Sequence, residues 1–167
     1  IDTAAKTGET LLVPSGVFVT GTLNLKGVSL HLESHAVLKG SSDINDYPVQ
    51  DYVHNEMGPL RAMLVDYNST GVVIDGMGTI DFSGTAFYDT SKMNVPKSRV
   101  PYTKEQEAEC TYFISQRPNQ SLFFLNGKNI VIKDITLIDS PCWTMGFCDC
   151  ENVKVLGAQN GVYASDM

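Results

Sequence analysis

The chain has 167 residues, 43% hydrophobic and 19% charged, the size and mixture of one globular domain with a buried core. Lys plus Arg number 12 against 19 Asp plus Glu, a net charge of −7, which argues against a general nucleic-acid binder because phosphate recognition needs concentrated positive surface. No apolar run approaches the roughly 18 residues that span a bilayer, and the given residues do not open on a charged-then-apolar leader.

In chain order, Ala4, Ala5, Lys6, Thr7 and Gly8 read as the last turn of a helix closed by a glycine cap. Such a helix would cover the open end of whatever begins at Leu11, Leu12 and Val13. Short alternating segments follow at 17–19, 28–32, 72–74, 130–132, 135–138 and 153–155, each with the period-two, β-branched character of a half-buried strand. Five of them open on a turn residue before a β-branched one: Gly16, Gly27, Gly71, Asn129 and Asn152.

The spacing of these labels is informative. Gly27 and Gly71 are 44 residues apart, read as twice 22, and Asn129 and Asn152 are 23 apart. The interval of 58 from Gly71 to Asn129 becomes regular if one repeat carries an insertion of about 35. A period in the low twenties predicts stacked coils of a parallel β-solenoid with inward Val, Ile and Leu ladders. The insertion falls at about 84–118, where Thr103, Lys104, Glu105 and Gln106 resemble a capping box opening a short helix. Without it the chain amounts to roughly six coils.

Four cysteines, Cys110, Cys142, Cys148 and Cys150, read as packing residues ahead of a disulfide or a metal site. No metal spacing appears around His31, His35 or His54, which read as strand or turn residues. Asn68 and Asn119 each open an N-glycosylation pattern.

Taken together, TLLVPSGVFVTGTLNLK at 10–26, VSLHLE at 28–33, DYP at 46–48, GVVIDGMGTID at 71–81, RP at 117–118, NIVIKDITLIDSPCWT at 129–144 and CENV at 150–153 resemble the N-terminal part of the polygalacturonases, the pectin-degrading glycoside hydrolases of family 28. The resemblance runs through nearly the whole chain. It implies an all-β, right-handed parallel β-helix, a single-stranded solenoid with an N-terminal cap and one long loop insertion containing a short helix. Residues 1–167 would be the N-terminal portion of that one domain, secreted or periplasmic, hydrolysing α-linked galacturonate or a related pectic sugar. It implies no cofactor, no nucleic-acid or membrane partner, and a monomer when complete.

The family's catalytic aspartates lie in an Asn-Thr-Asp motif and a following Asp-Asp pair, with a Gly-His motif later, all beyond the coil matched by 150–153. None of these occurs after Val153, so no catalytic residue is carried over. Asp166 stands near the first expected position in a context that does not match. The chain therefore reads as ending before its chemistry.

A pectic substrate is a polyanion, so an acidic protein needs a local positive patch to hold it. Lys97 and Arg99 in the insertion, among Lys92, Lys104, Tyr88 and Tyr102, would supply one; the competing reading is a solvated loop. Arg117 either faces the cleft or makes a structural ion pair. Asp139 is a candidate for the groove wall, and Trp143, the single tryptophan, either lines the groove or packs beneath a loop. Asp75, Asp81 and Asp134 read as turn or cap residues. Two rival readings remain beside the hydrolase: a non-catalytic carbohydrate-binding or structural β-helix, and a pectate-lyase-like β-eliminase.

Overall fold

The computed structural model describes residues 1–54, 58–88 and 116–161. The expected helix near 103–113, together with Lys97, Arg99, Cys110 and Asp166, lies outside the described residues.

The chain opens with α1 (Asp2–Thr7), ended by Gly8 in the left-handed conformation at φ 71°, its N–H donating to the Ala4 carbonyl. It then winds through three parallel sheets in a constant order. The first coil contributes β1 (Leu11–Val13), β2 (Gly16–Thr20) and β3 (Leu23–Asn24) to the first, second and third sheet. The second coil contributes β4 (Leu30–Leu32) and β5 (Ala36–Gly40), makes an excursion carrying the antiparallel hairpin β6 (Val53–His54) and β7 (Gly58–Pro59), and returns as β8 (Ala62–Tyr67). The third supplies β9 (Val73–Gly76), β10 (Thr79–Asp81) and β11 (Gln120–Leu125). The fourth supplies β12 (Lys128–Lys133), β13 (Thr136–Ile138) and β14 (Trp143–Cys148), followed by β15 (Glu151–Leu156) and β16 (Gln159–Gly161) of a fifth. Every pairing within the three sheets is parallel.

Register corrects the repeat arithmetic. Leu30 pairs directly with Ile74, so the 44-residue interval is one enlarged coil, not two of 22. The first sheet has five strands among the described residues, not the six coils expected. Loop residues 41–61, the hairpin of β6 and β7 among them, supply almost a whole repeat length. Both long excursions, after β5 and after β10, leave the stack at the same corner, between the second and third sheets.

Stacking the coils in register builds the core. Leu30, Ile74 and Ile132 form one inward column; Leu38, Ile80 and Leu137 form another, and all are nearly inaccessible. Each such side chain stabilises the fold by about 1.5–3 kcal/mol when buried. The turn residues behave as labelled: Gly27, Gly71, Asn129 and Asn152 all have positive φ at the entry to the first sheet, while Gly16 marks a different corner, the entry to the second. Equivalent asparagines also hydrogen-bond from coil to coil, with Asn152 Nδ2 donating to Asn129 Oδ1 at 2.6 Å and Asn126 Nδ2 to Asn68 Oδ1 at 3.1 Å.

Outward columns carry charge. Asp75 in β9 accepts both His31 Nδ1 of the coil before, at 2.6 Å, and Lys133 Nζ of the coil after, at 3.4 Å. Asp81 pairs with Lys39 Nζ at 2.6 Å and also accepts the Ser83 N–H. These two acids are therefore strand-end members of ionic ladders rather than turn residues alone, whereas Asp134, at φ 55°, is a turn residue as expected.

Candidate functional site

The third sheet departs from strict alternation. Met63 and Leu64, consecutive in β8, both face the main core, while Ala62 and Val65 on either side join a second cluster with Leu60 and Phe123. The register carries this offset through the stack: Ala62, Gln120 and Trp143 are aligned, as are Val65, Phe123 and Gly146, and Tyr67, Leu125 and Cys148. An irregularity of this kind re-aims side chains on one face of a sheet. Here it defines an outer face of the third sheet with its own packing.

The hairpin excursion covers the early part of that face. Leu60 and Tyr52 pack on it, the Tyr52 ring lies 5.0 Å from that of Phe123, and the Tyr52 hydroxyl sits 3.2 Å from the Cys148 sulfur. That contact, followed by burial, raises the Tyr52 pKa above its ordinary value. Gln50 and Tyr52 are tied to Leu60 by backbone hydrogen bonds at 2.9 and 3.0 Å. Under this cover Ala62, Val65 and Phe123 are almost wholly buried. One coil later the face opens, and Trp143 is 43% exposed.

The corner beside this face is tightly knit. Asn119 accepts the Arg61 N–H at 3.0 Å and donates Nδ2 to the Pro59 carbonyl at 3.0 Å. The Arg61 guanidinium donates to the Tyr47 carbonyl. Asn119 is thereby buried and engaged on both sides of its amide, while Asn68, the other glycosylation-pattern residue, is exposed.

The expected site residues fall as follows. Arg117 donates Nη1 to the Pro141 carbonyl at 3.1 Å, the same carbonyl that accepts the Tyr88 hydroxyl at 2.8 Å. Asp139, at φ 55°, accepts both the N–H and the hydroxyl of Thr85 at 2.9 Å, so its carboxylate anchors the 3-10 turn Gly84–Phe87 at the root of the second excursion. Trp143 begins β14 on the outer face. The structure thus brings Arg117, Asp139 and Trp143 to one corner. Cys142, Cys148 and Cys150 are free thiols. Cys150 packs against the main core, where burial, the largest influence, raises its pKa.

Sequence reasoning passed over Gln120 and Gly146. Gln120 is 1% exposed, yet its Oε1 has no hydrogen-bond partner among the described residues. A Cβ on Gly146 would stand 2.9 Å from that oxygen and 2.9 Å from the Phe123 ring. The signal was faint: a carboxamide beside Asn119 and Ser121, just ahead of the apolar run 122–125.

No protein-family model matches the chain, and no curated protein matches it in sequence. Solved structures do match. A candidate glycosyl hydrolase from Parabacteroides merdae superposes with a TM-score of 0.71 at 19% identity, over 99% of this chain and 68% of that one. The hyperthermoactive exopolygalacturonase of Thermotoga maritima gives 0.69 at 21% identity, over 99% of this chain and 42% of its own. The family 28 exopolygalacturonase of Yersinia enterocolitica gives 0.63 at 17% identity, over 91% and 33%. The chain has the parallel all-β fold of glycoside hydrolases of the polygalacturonase type. It spans about two thirds of the first of these proteins and less than half of the other two.

Proposed function

We propose that this chain forms the N-terminal coils of a secreted or periplasmic polygalacturonase-type glycoside hydrolase, one right-handed solenoid that cleaves α-linked galacturonate or a related pectic polysaccharide with inversion. The observation that carries the reading is the stack of parallel coils, which aligns with an exopolygalacturonase over 99% of the chain. Inversion needs an acid and a base roughly 6.5–9.5 Å apart on either side of the scissile bond. Several described acids are engaged structurally: Asp75 by His31 and Lys133, Asp81 by Lys39, and Asp139 by Thr85. In this reading the catalytic pair lies on coils beyond the 167 residues, and the outer face of the third sheet continues into the substrate groove.

The test is reducing-sugar release from polygalacturonate. The complete reading frame is expected to be active and this chain inert. Hydrolysis by this chain alone, abolished by Asp166→Asn, would overturn the assignment of the chemistry to later coils. The hairpin closing the early end of the face supports action from chain ends, giving short products of uniform length. A broad mixture of oligomers from the complete enzyme would count against that arrangement.

A further inference from the structure

Two segments of the chain fit the pattern Asn-x-Ser/Thr that accepts an N-linked glycan, Asn68-Ser69-Thr70 and Asn119-Gln120-Ser121, and the fold treats them oppositely. The first occupies the turn that leads from β8 to β9, with both Asn68 and Thr70 exposed. Its backbone is fixed on the next coil, the Asn68 N–H donating to the Leu125 carbonyl at 2.8 Å and the Ser69 carbonyl accepting the Lys128 N–H at 2.9 Å. The Asn68 side chain is held by its oxygen, which accepts Asn126 Nδ2 at 3.1 Å, and its own Nδ2 donates to no group among the described residues. The second segment is interior. Asn119, Gln120 and Ser121 are 7%, 1% and 0% exposed, and Asn119 Nδ2 already donates to the Pro59 carbonyl.

We propose that Asn68 is an N-glycan attachment site of the folded protein and that Asn119 is not. In the transfer, Asn68 Nδ2 attacks the anomeric carbon of an oligosaccharide carried on a lipid diphosphate, under an oligosaccharyltransferase. A C–N bond forms, the C–O bond to the diphosphate breaks, and the amide gives up one proton. The product keeps its carbonyl oxygen, so the hydrogen bond from Asn126 survives. A glycan is bulky and hydrated and belongs at the surface, which the exposed turn allows. At Asn119 it would have to enter the packed interior, where polar groups cut off from water are costly, and it would displace the amide that ties this corner to Pro59. A chain modified at Asn119 before folding therefore cannot seat β11. The Asn68 turn joins the third sheet to the first, whereas both excursions leave between the second and third, so the glycan stands at a different corner from them. From the proposed function the inference takes only export past the transferase; it is independent of the hydrolytic chemistry.

The chain, and separately the complete reading frame, would be exported from a eukaryotic secretory host behind a cleavable signal peptide. Soluble product is treated with a peptide N-glycanase in heavy-oxygen water, which leaves a labelled aspartate wherever a glycan was attached, and both peptides are mapped by mass spectrometry. Labelled aspartate is expected at position 68 and unmodified asparagine at 119, with any glycan at Asn119 confined to retained, insoluble protein. Thr70→Ala removes the acceptor pattern while leaving the Asn68 and Asn126 side chains in place, and it should abolish occupancy at 68. Asn68→Gln should do the same, and Thr70→Ala decides the matter if Asn68→Gln fails to fold. Mapping from the complete reading frame decides it if the shorter chain is not exported. An unoccupied Asn68 in soluble protein overturns the proposal. A glycan at Asn119 in soluble protein whose circular dichroism and melting temperature match those of the unmodified form overturns it equally.

Discussion

Asp66 places a carboxyl group in the interior of the stack, 1% exposed, with Oδ1 accepting the Gly27 N–H at 2.8 Å and the Ser69 hydroxyl at 3.0 Å. Its Oδ2 has no partner among the described residues. Desolvation raises its pKa, and the two hydrogen bonds offset this only in part. A raised pKa means that the folded state holds the proton more tightly than the unfolded chain. The stabilising contribution is therefore complete below the unfolded value of about 3.9 and is lost as pH rises through the folded one. Asp66→Asn keeps an acceptor for Gly27 and removes the titration. Its melting temperature should exceed that of the parent at pH 8, with the gap closing toward pH 4; parallel pH profiles would refute this. Gly76 makes a second residue-scale prediction. Its φ is 115°, and a Cβ would lie 2.0 Å from the Leu32 carbonyl oxygen, so Gly76→Ala combines backbone strain with a clash against backbone. A loss of about 3 kcal/mol or more in urea denaturation is expected.

Individual elements are held by contacts of different reach. Asp139 sits on the fourth coil and anchors a turn of the third through Thr85, so Asp139→Ala should cost about 1–3 kcal/mol of stability whatever it does to substrate affinity. Unchanged stability with lost affinity would instead mark it as a sugar ligand. The hairpin depends on Tyr52, whose ring packs on Phe123 and whose hydroxyl meets Cys148. Tyr52→Ala should speed amide exchange at Gln50 and Leu60 roughly tenfold or more, about 1.4 kcal/mol of local opening, and leave β12 protected. These elements differed in how plainly the sequence announced them. Gly8, Gly27, Gly71, Asn129 and Asn152 were legible because left-handed backbone selects a narrow set of residues, and the positive φ angles match. The hairpin was not, because loop 41–61 has nearly the length of a coil. Gln120 was not, because period-two reasoning assigns faces by parity, and the consecutive inward pair Met63 and Leu64 breaks parity across the sheet.

At the scale of the whole molecule, the first coil's open end is only partly closed. Ile1 packs against the core and Ala4 is buried, while Val17, Phe18 and Val19 of the edge strand β2 stay between 41% and 67% exposed. Deleting residues 1–8 removes the Ile1 and Ala4 contacts and the Lys26–Asp2 pair. About 2 kcal/mol should be lost, mostly from Ile1, and the exposed pair should add little because surface ion pairs are weak. Greater aggregation of the deleted form would follow from the newly uncovered strand edges. The two excursions have a different bearing. Both depart from and rejoin the same corner of neighbouring coils, and the inward columns Leu30, Ile74 and Ile132 run past them in unbroken register. Closing a longer loop costs only slowly increasing entropy, so the chain can lengthen, shorten or exchange these segments while its interior stays the same. The architecture thereby separates two kinds of sequence change: substitutions in the columns alter whether the molecule stands, and changes at that corner alter what can reach its surface.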